Sequence, residues 1–171
     1  YWNERNSEIS INSEFTDEDS QGKRRNWVSQ FSYTKKHIVG KNLLEIGVGA
    51  GQSILWFEEE GFNVKGIEPD GRNVSMINKK LKKGKVIESS VEEFSIDEVF
   101  DVIWMSHVLE HLLEPMNFLK KIKNNLKNDG IFFIEVPNCE YEPMLQSSIQ
   151  KNPHLFHFTR SEEHTSELQS Q

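Results

Sequence analysis

The chain has 171 residues, 36% of them hydrophobic and 27% charged, with a formal net charge of -7. That length supports one domain with a core. The acidic balance argues against a nucleic-acid backbone as the main partner, because phosphate binding calls for a basic surface. Cys139 is the single cysteine, which excludes an intrachain disulfide or a cysteine metal cluster. No apolar run reaches the ~18 residues of a membrane span, and no leader pattern is visible. The expectation is a cytoplasmic protein.

Residues 1–22 are polar and acidic and read as an arm. The stretch 23–39 spaces Trp27, Phe31 and Ile38 for a helix that ends at Gly40. From there strand and helix alternate. "NLLEI" (42–46) reads as a buried strand and "GQSILWFEEEG" (51–61) as a helix stopped by glycine. "NVKGIEP" (63–69) reads as a strand cut off by proline. "GRNVSMINKKLKKG" (71–84) reads as a helix with Val74, Ile77 and Leu81 on one face. The basic cluster "NKKLKKGK" (78–85) is its solvated end. "KVIES" (85–89) and "VFDVIWMS" (99–106) are strands. "PMNFLKKIKNNLKNDG" (115–130) is a helix bounded by proline and glycine, and "IFFIEVP" (131–137) a fifth strand. Short links between alternating elements predict a parallel α/β sheet covered by helices on both faces. Ligands of such sheets bind beyond the carboxyl ends of the strands.

"NLLEIGVGAGQS" (42–53) follows its strand with Gly47, Gly49 and Gly51. A dinucleotide fingerprint needs a third glycine where Gln52 stands, so the phosphate cradle is imperfect. Glu45, ahead of the turn, repels a pyrophosphate and attracts an ammonium group. Glu68 ends the next strand, where a carboxylate can accept from both hydroxyls of a ribose. A ribose reader, a roomy turn and a cation-seeking acid fit S-adenosylmethionine (SAM), which has a ribose, an ammonium and no phosphate.

"LLEIGVGAG" followed by "VKGIEPD" resembles the first two motifs of the class I SAM-dependent methyltransferases. "FDVIWMSHVLEHLLEP" (100–115) and "LKNDGIFFIEVPN" (126–138) look like the segments at that superfamily's fourth and fifth strands. The resemblance covers about residues 23–159, the expected SAM-binding domain. It implies a three-layer Rossmann-like sandwich with sheet order 3-2-1-4-5, and a SAM-dependent methyltransferase of a small-molecule acceptor. The wording "SHVLEHL" and "EVPN" is closest to members of glycan and lipid biosynthesis. By position, Glu45, Gly47, Gly49 and Gly51 line the methionine end and Glu68 holds the ribose. Pro69 and Asp70 stand beside the adenine, and Ser90 and Val91 flank it. Many relatives carry Asp where Ser90 stands. Ser106 and His107 face the sulfonium and the acceptor. The runner-up reading is a SAM-binding protein of the same fold without catalysis.

"HVLEH" (107–111) also reads as H-x-x-E-H, an inverted zinc-protease motif with His107 and His111 on one face of a helix. The motif follows a strand almost directly, Pro115 soon interrupts, and no third-ligand helix follows. The metallopeptidase is therefore a distant alternative, and no metal ligands are assigned. "NPHLFHFTRS" (152–161) contributes His154 and His157 as candidate general bases beside His107, because imidazole titrates near neutral pH.

The tail "RSEEHTSELQS" (160–170) breaks the pattern and resembles the translation of a common sequencing adapter. Residues 160–171 are expected to be non-native. The superfamily completes its sheet with two further strands, which are not visible here. The fifth strand is thus expected to be an exposed apolar edge, and the fragment poorly stable and inactive although its parent is an enzyme.

Overall fold

The computed structural model describes residues 17–150 and 154–160. The elements are α1 (Asp17–Thr34), β1 (Asn42–Ile46), α2 (Gln52–Glu59), β2 (Asn63–Glu68), α3 (Gly71–Lys80), β3 (Lys85–Glu88), β4 (Phe100–Ser106), α4 (Pro115–Ile122), β5 (Leu126–Glu135) and α5 (Glu142–Gln150). Single 3-10 turns cover Lys35–His37, Leu109–His111 and Lys123–Asn125. The five strands form one parallel sheet in the expected order, β3-β2-β1-β4-β5.

Strand periodicity sorts the core into two layers, since successive side chains point to opposite faces. Leu43, Val102 and Trp104 pack with Phe31 of α1, Ile54 and Phe57 of α2, and Val74 and Ile77 of α3. Leu44, Ile46, Ile103 and Met105 pack on the other face with Leu109, Leu112 and the α4 residues Phe118 and Ile122. Both faces of β1 and β4 are covered, which is why those strands read as unbroken apolar runs. Glu45 lies on the Leu43 face, so the pleat aims its carboxylate at the start of α2.

Four elements differ most from the sequence reading. First, α1 begins at Asp17, inside the stretch read as an arm. It ends at Thr34, before Gly40. Ser32 and Thr34 turn their hydroxyls back onto the carbonyls of Ser29 (2.6 Å) and Phe31 (3.1 Å), a bond that competes with the helical ladder. Second, α3 stops at Lys80 rather than at residue 84. The carboxylate of Glu58 accepts from the amides of Lys82 (2.8 Å), Lys83 (2.8 Å) and Gly84 (2.6 Å), which pulls the chain off the helical path. Third, α4 ends at Ile122. Asn125 caps the following turn onto the carbonyls of Ile96 (2.7 Å) and Glu98 (2.9 Å). Fourth, β5 begins at Leu126, with a register shift opposite Phe100–Val102. Residues 1–16, 151–153 and 161–171, including most of the expected arm and tail, lie outside the described residues.

Candidate functional site

The site gathers at the carboxyl ends of β1, β2, β4 and β5. After β1 the chain must turn sharply, and Gly47, Gly49 and Gly51 all hold positive φ (73°, 57° and 83°). Two of them are also confined. A β-carbon on Gly47 would fall 2.3 Å from a methyl of Val108, and one on Gly51 2.4 Å from Ile77. Gly49 differs, because a β-carbon there meets no heavy atom within 4 Å. The middle of the turn therefore faces open space, while its two ends pack against the fold.

Two acids stand under that turn. Glu45 is buried, and one carboxylate oxygen accepts from the hydroxyl of Ser53, the second residue of α2. Its other oxygen, Oε2, is buried without a hydrogen-bond partner. Burial pushes the carboxyl up to about 8, against the Ser53 bond, and the nearby Glu68 pushes the same way. The acid read from sequence as a charged cation-seeker is thus largely protonated at neutral pH. A cation delivered to Oε2 restores its charge. Glu68 accepts from the amide of Gly49 (Oε2, 2.8 Å) and from that of Asp70 (Oε1, 3.0 Å). Burial also raises its carboxyl, opposed by those two amides.

The residues expected around an adenine have mixed positions. Asp70 caps α3 through the Arg72 amide (2.9 Å) and grips the Arg72 side chain (Nε, 2.9 Å). The Arg72 contact, more than its limited burial, holds the Asp70 carboxyl below its usual range. Its carboxylate is therefore committed to the helix start, and Pro69 sits half-buried before it. Ser90 turns the chain, its hydroxyl accepting from the Glu93 amide (3.2 Å). Val91 is buried and lines a cleft of about 300 Å³ with Leu112, Leu113 and Phe118.

The β4 end carries the acceptor-side candidates. Ser106 donates its hydroxyl to Glu135 at the end of β5, which also accepts from Gln30 of α1 (2.5 Å). His107 holds φ 55°, an uncommon conformation for a non-glycine residue. Its amide donates to the Glu135 carbonyl (3.0 Å). Its half-exposed ring lies between two carboxylates, with Nδ1 3.5 Å from Glu110 and Nε2 3.7 Å from Glu135. At those distances the contacts are charge pairs rather than aligned hydrogen bonds. Glu110 raises the His107 imidazole most, burial opposes, and Glu135 adds to the rise.

The left-handed turn at His107 and the 3-10 turn that follows remove the α-helix on which the zinc-protease reading depended. His111 instead faces His154, their rings meeting edge to face at 4.8 Å. Burial holds both imidazoles below their usual value. His157 is exposed, 6.2 Å from His154 between ring centres. The segment 154–160 is held by the carbonyl of Glu110, which accepts from the amides of Leu155 (2.9 Å) and Phe156 (3.2 Å). Sequence reasoning passed over Ser53, Gln30, Glu110 and Glu135 as site residues. Glu110 was in view as the acid of "HVLEH", but its full burial was not.

A family model described as a methyltransferase domain matches residues 17–170. The chain belongs to that methyltransferase family. Among curated relatives, this methyltransferase domain is 24% identical over 111 residues to a ubiquinone biosynthesis O-methyltransferase of Rickettsia akari, covering 63% of this chain and 44% of that protein. It is 29% identical over 109 residues to the protein of the same name from Bradyrhizobium sp., covering 61% and 43%. The chain thus spans less than half the length of these relatives. Among solved structures, the plantazolicin methyltransferase BpumL in complex with SAH aligns with a TM-score of 0.63 at 21% identity, over 85% of this chain and 64% of that one. The N-methyltransferase NodS from Bradyrhizobium japonicum, in complex with S-adenosyl-L-homocysteine (SAH), aligns with a TM-score of 0.57 at 19% identity, over 65% and 60%. These likenesses carry the fold: the five-stranded order of this methyltransferase domain is the class I arrangement. Among the described residues no helix is long and apolar enough to cross a membrane.

Proposed function

We infer that this methyltransferase domain binds SAM and transfers its methyl group to an oxygen of a small-molecule acceptor. The observation that carries the reading is the orphaned Oε2 of Glu45, buried beneath a glycine turn whose middle faces open space. A buried carboxyl oxygen without a partner is costly, and an ammonium group satisfies it. Glu45 holds the amino group of the donor, and Gly47, Gly49 and Gly51 let its methionine end approach the backbone. Glu68 uses its remaining lone pairs for the ribose hydroxyls. Pro69 and Asp70 border the adenine, with Asp70 contributing through the helix start it caps, and Ser90 and Val91 flank it from beyond β3.

Ser106 and His107 face the sulfonium. When bound, SAM would supply the methyl group and keep the sulfur–methyl bonding pair as a neutral thioether, and the proton of the methylated oxygen would pass to His107. Alignment of oxygen, methyl and sulfur supplies much of the rate. His107 presents an imidazole to that side, and His157 lies further out. The names of the sequence relatives favour an oxygen acceptor, and the wider setting proposed is glycan or lipid biosynthesis.

The test is calorimetric titration of SAH into the full chain, followed by a search for SAH production with phenolic and other hydroxylated acceptors. Binding that is abolished in Glu45→Ala, with the fold intact, supports the reading. A chain that melts cooperatively but takes up no SAH refutes it.

A further inference from the structure

Glu110, His111 and His154 lie outside the donor site, and each offers one ligand atom. These atoms all lie within 4.8 Å of one another. Glu110 is completely buried, and neither of its carboxylate oxygens has a hydrogen-bond partner. Nδ1 of His154 is likewise buried and unpartnered. Buried polar atoms are ordinarily satisfied, so the unpartnered Glu110 carboxylate and His154 Nδ1 meeting in one cluster call for a ligand. The arrangement is built into the fold. The Glu110 carbonyl fastens the backbone of Leu155 and Phe156, which sets His154 over the 3-10 turn. Val108, in the same turn, closes against Gly47, so the cluster stands beside the glycine turn.

We propose that Glu110, His111 and His154 bind a divalent first-row transition cation of the zinc type. Two imidazoles and one carboxylate match the donor preference of that class, and three protein ligands leave a position open for an oxygen. His107 Nδ1 pairs with Glu110 Oε1 at 3.5 Å, as outer partners of metal ligands do. The site differs from the pair suggested by "HVLEH" alone: His107 is replaced as ligand by a histidine from beyond β5. Given the function proposed above, the open position holds the acceptor's oxygen against the methyl donor.

Zinc is titrated into the metal-free full chain by calorimetry, and retained metal is counted after gel filtration. The expected result is about one zinc per chain. Affinity should fall by about tenfold or more in His154→Ala and in His111→Ala. His37→Ala, on the exposed 3-10 turn before β1, should bind as the parent does. Thermal melts and SAH titrations of the same variants report whether the fold and the donor site survive. No stoichiometric zinc in the parent, or undiminished affinity in both folded histidine variants, overturns the proposal. Loss of SAH binding with zinc retained counts against the donor site alone, so the two readings fail separately.

Discussion

The amide of Gly49 donates to Oε2 of Glu68 at 2.8 Å. The turn after β1 and the end of β2 are therefore one mechanical unit. Glu68 braces the glycine turn and, on the function proposed above, also faces the ribose. Glu68→Ala removes both and should weaken SAH binding at least tenfold, since bonds to a charged group contribute roughly 1.5–3 kcal/mol each. It should also lower the melting temperature, because two amides lose their acceptor. Unchanged affinity in a calorimetric titration would remove Glu68 from the site.

The three glycines of the turn should respond differently to alanine. Positive φ costs each variant roughly 1–2 kcal/mol. Gly47→Ala and Gly51→Ala add a clash with Val108 or Ile77 at 2.3–2.4 Å, of the kind that costs typically 1–3 kcal/mol more. Gly49→Ala meets only open space. It should be the most stable of the three, yet lose SAH affinity because its methyl group enters the ligand's room. Denaturant melts and calorimetry on the three proteins check the pattern, which fails if Gly49→Ala is the least stable.

Glu45 should make stability fall with rising pH. Its carboxyl moves from 4.5 to about 8 on folding, so the folded state holds a proton that the unfolded state has released. The stabilisation is complete below about pH 4.5 and is lost as pH rises to about 8. Within that window the slope is about −1.4 kcal/mol per pH unit. Glu68 shifts in the same direction. Urea melts at pH 6 and pH 8 measure the slope, and Glu45→Gln should flatten most of it. An equal slope in that variant would place the proton elsewhere. SAH binding near pH 7 should release a proton from Glu45, seen as a dependence of the binding enthalpy on the buffer's ionisation enthalpy.

Asp101 should be a structural acid with no part in binding. It is buried at the opposite end of β4, accepting from the amides of Lys41 (3.1 Å) and Asn42 (2.9 Å) and from Lys127 (2.7 Å). Burial opposes its charge, but Lys127 and the two amides outweigh it and hold the carboxyl below its usual range. Asp101→Ala should cost about 1–3 kcal/mol in a denaturant melt and leave SAH affinity unchanged. A selective loss of affinity would contradict that placement.

The alternation of strands and helices and the glycine turn were legible in the sequence, because local rules govern them: apolar runs bury strands, and only glycine sits easily at positive φ. The strand order of the sheet followed from the family resemblance instead. Element ends were less legible, because distant side chains set them. Glu58 stops α3 and Asn125 ends the turn after α4. The identity of Glu45 was in the sequence, but its protonation was not. That depends on the pleat aiming it at α2 and on the layers that bury it. The histidines show the same division. "HVLEH" offered His107 and His111 as a helical pair, whereas the left-handed backbone at His107 breaks that helix and the fold brings His154 to Glu110 and His111 instead. Sequence determined which chemical groups were present and the local shape of the chain around them. Tertiary structure alone decided which of them lost water, because burial and convergence depend on segments far apart in the chain.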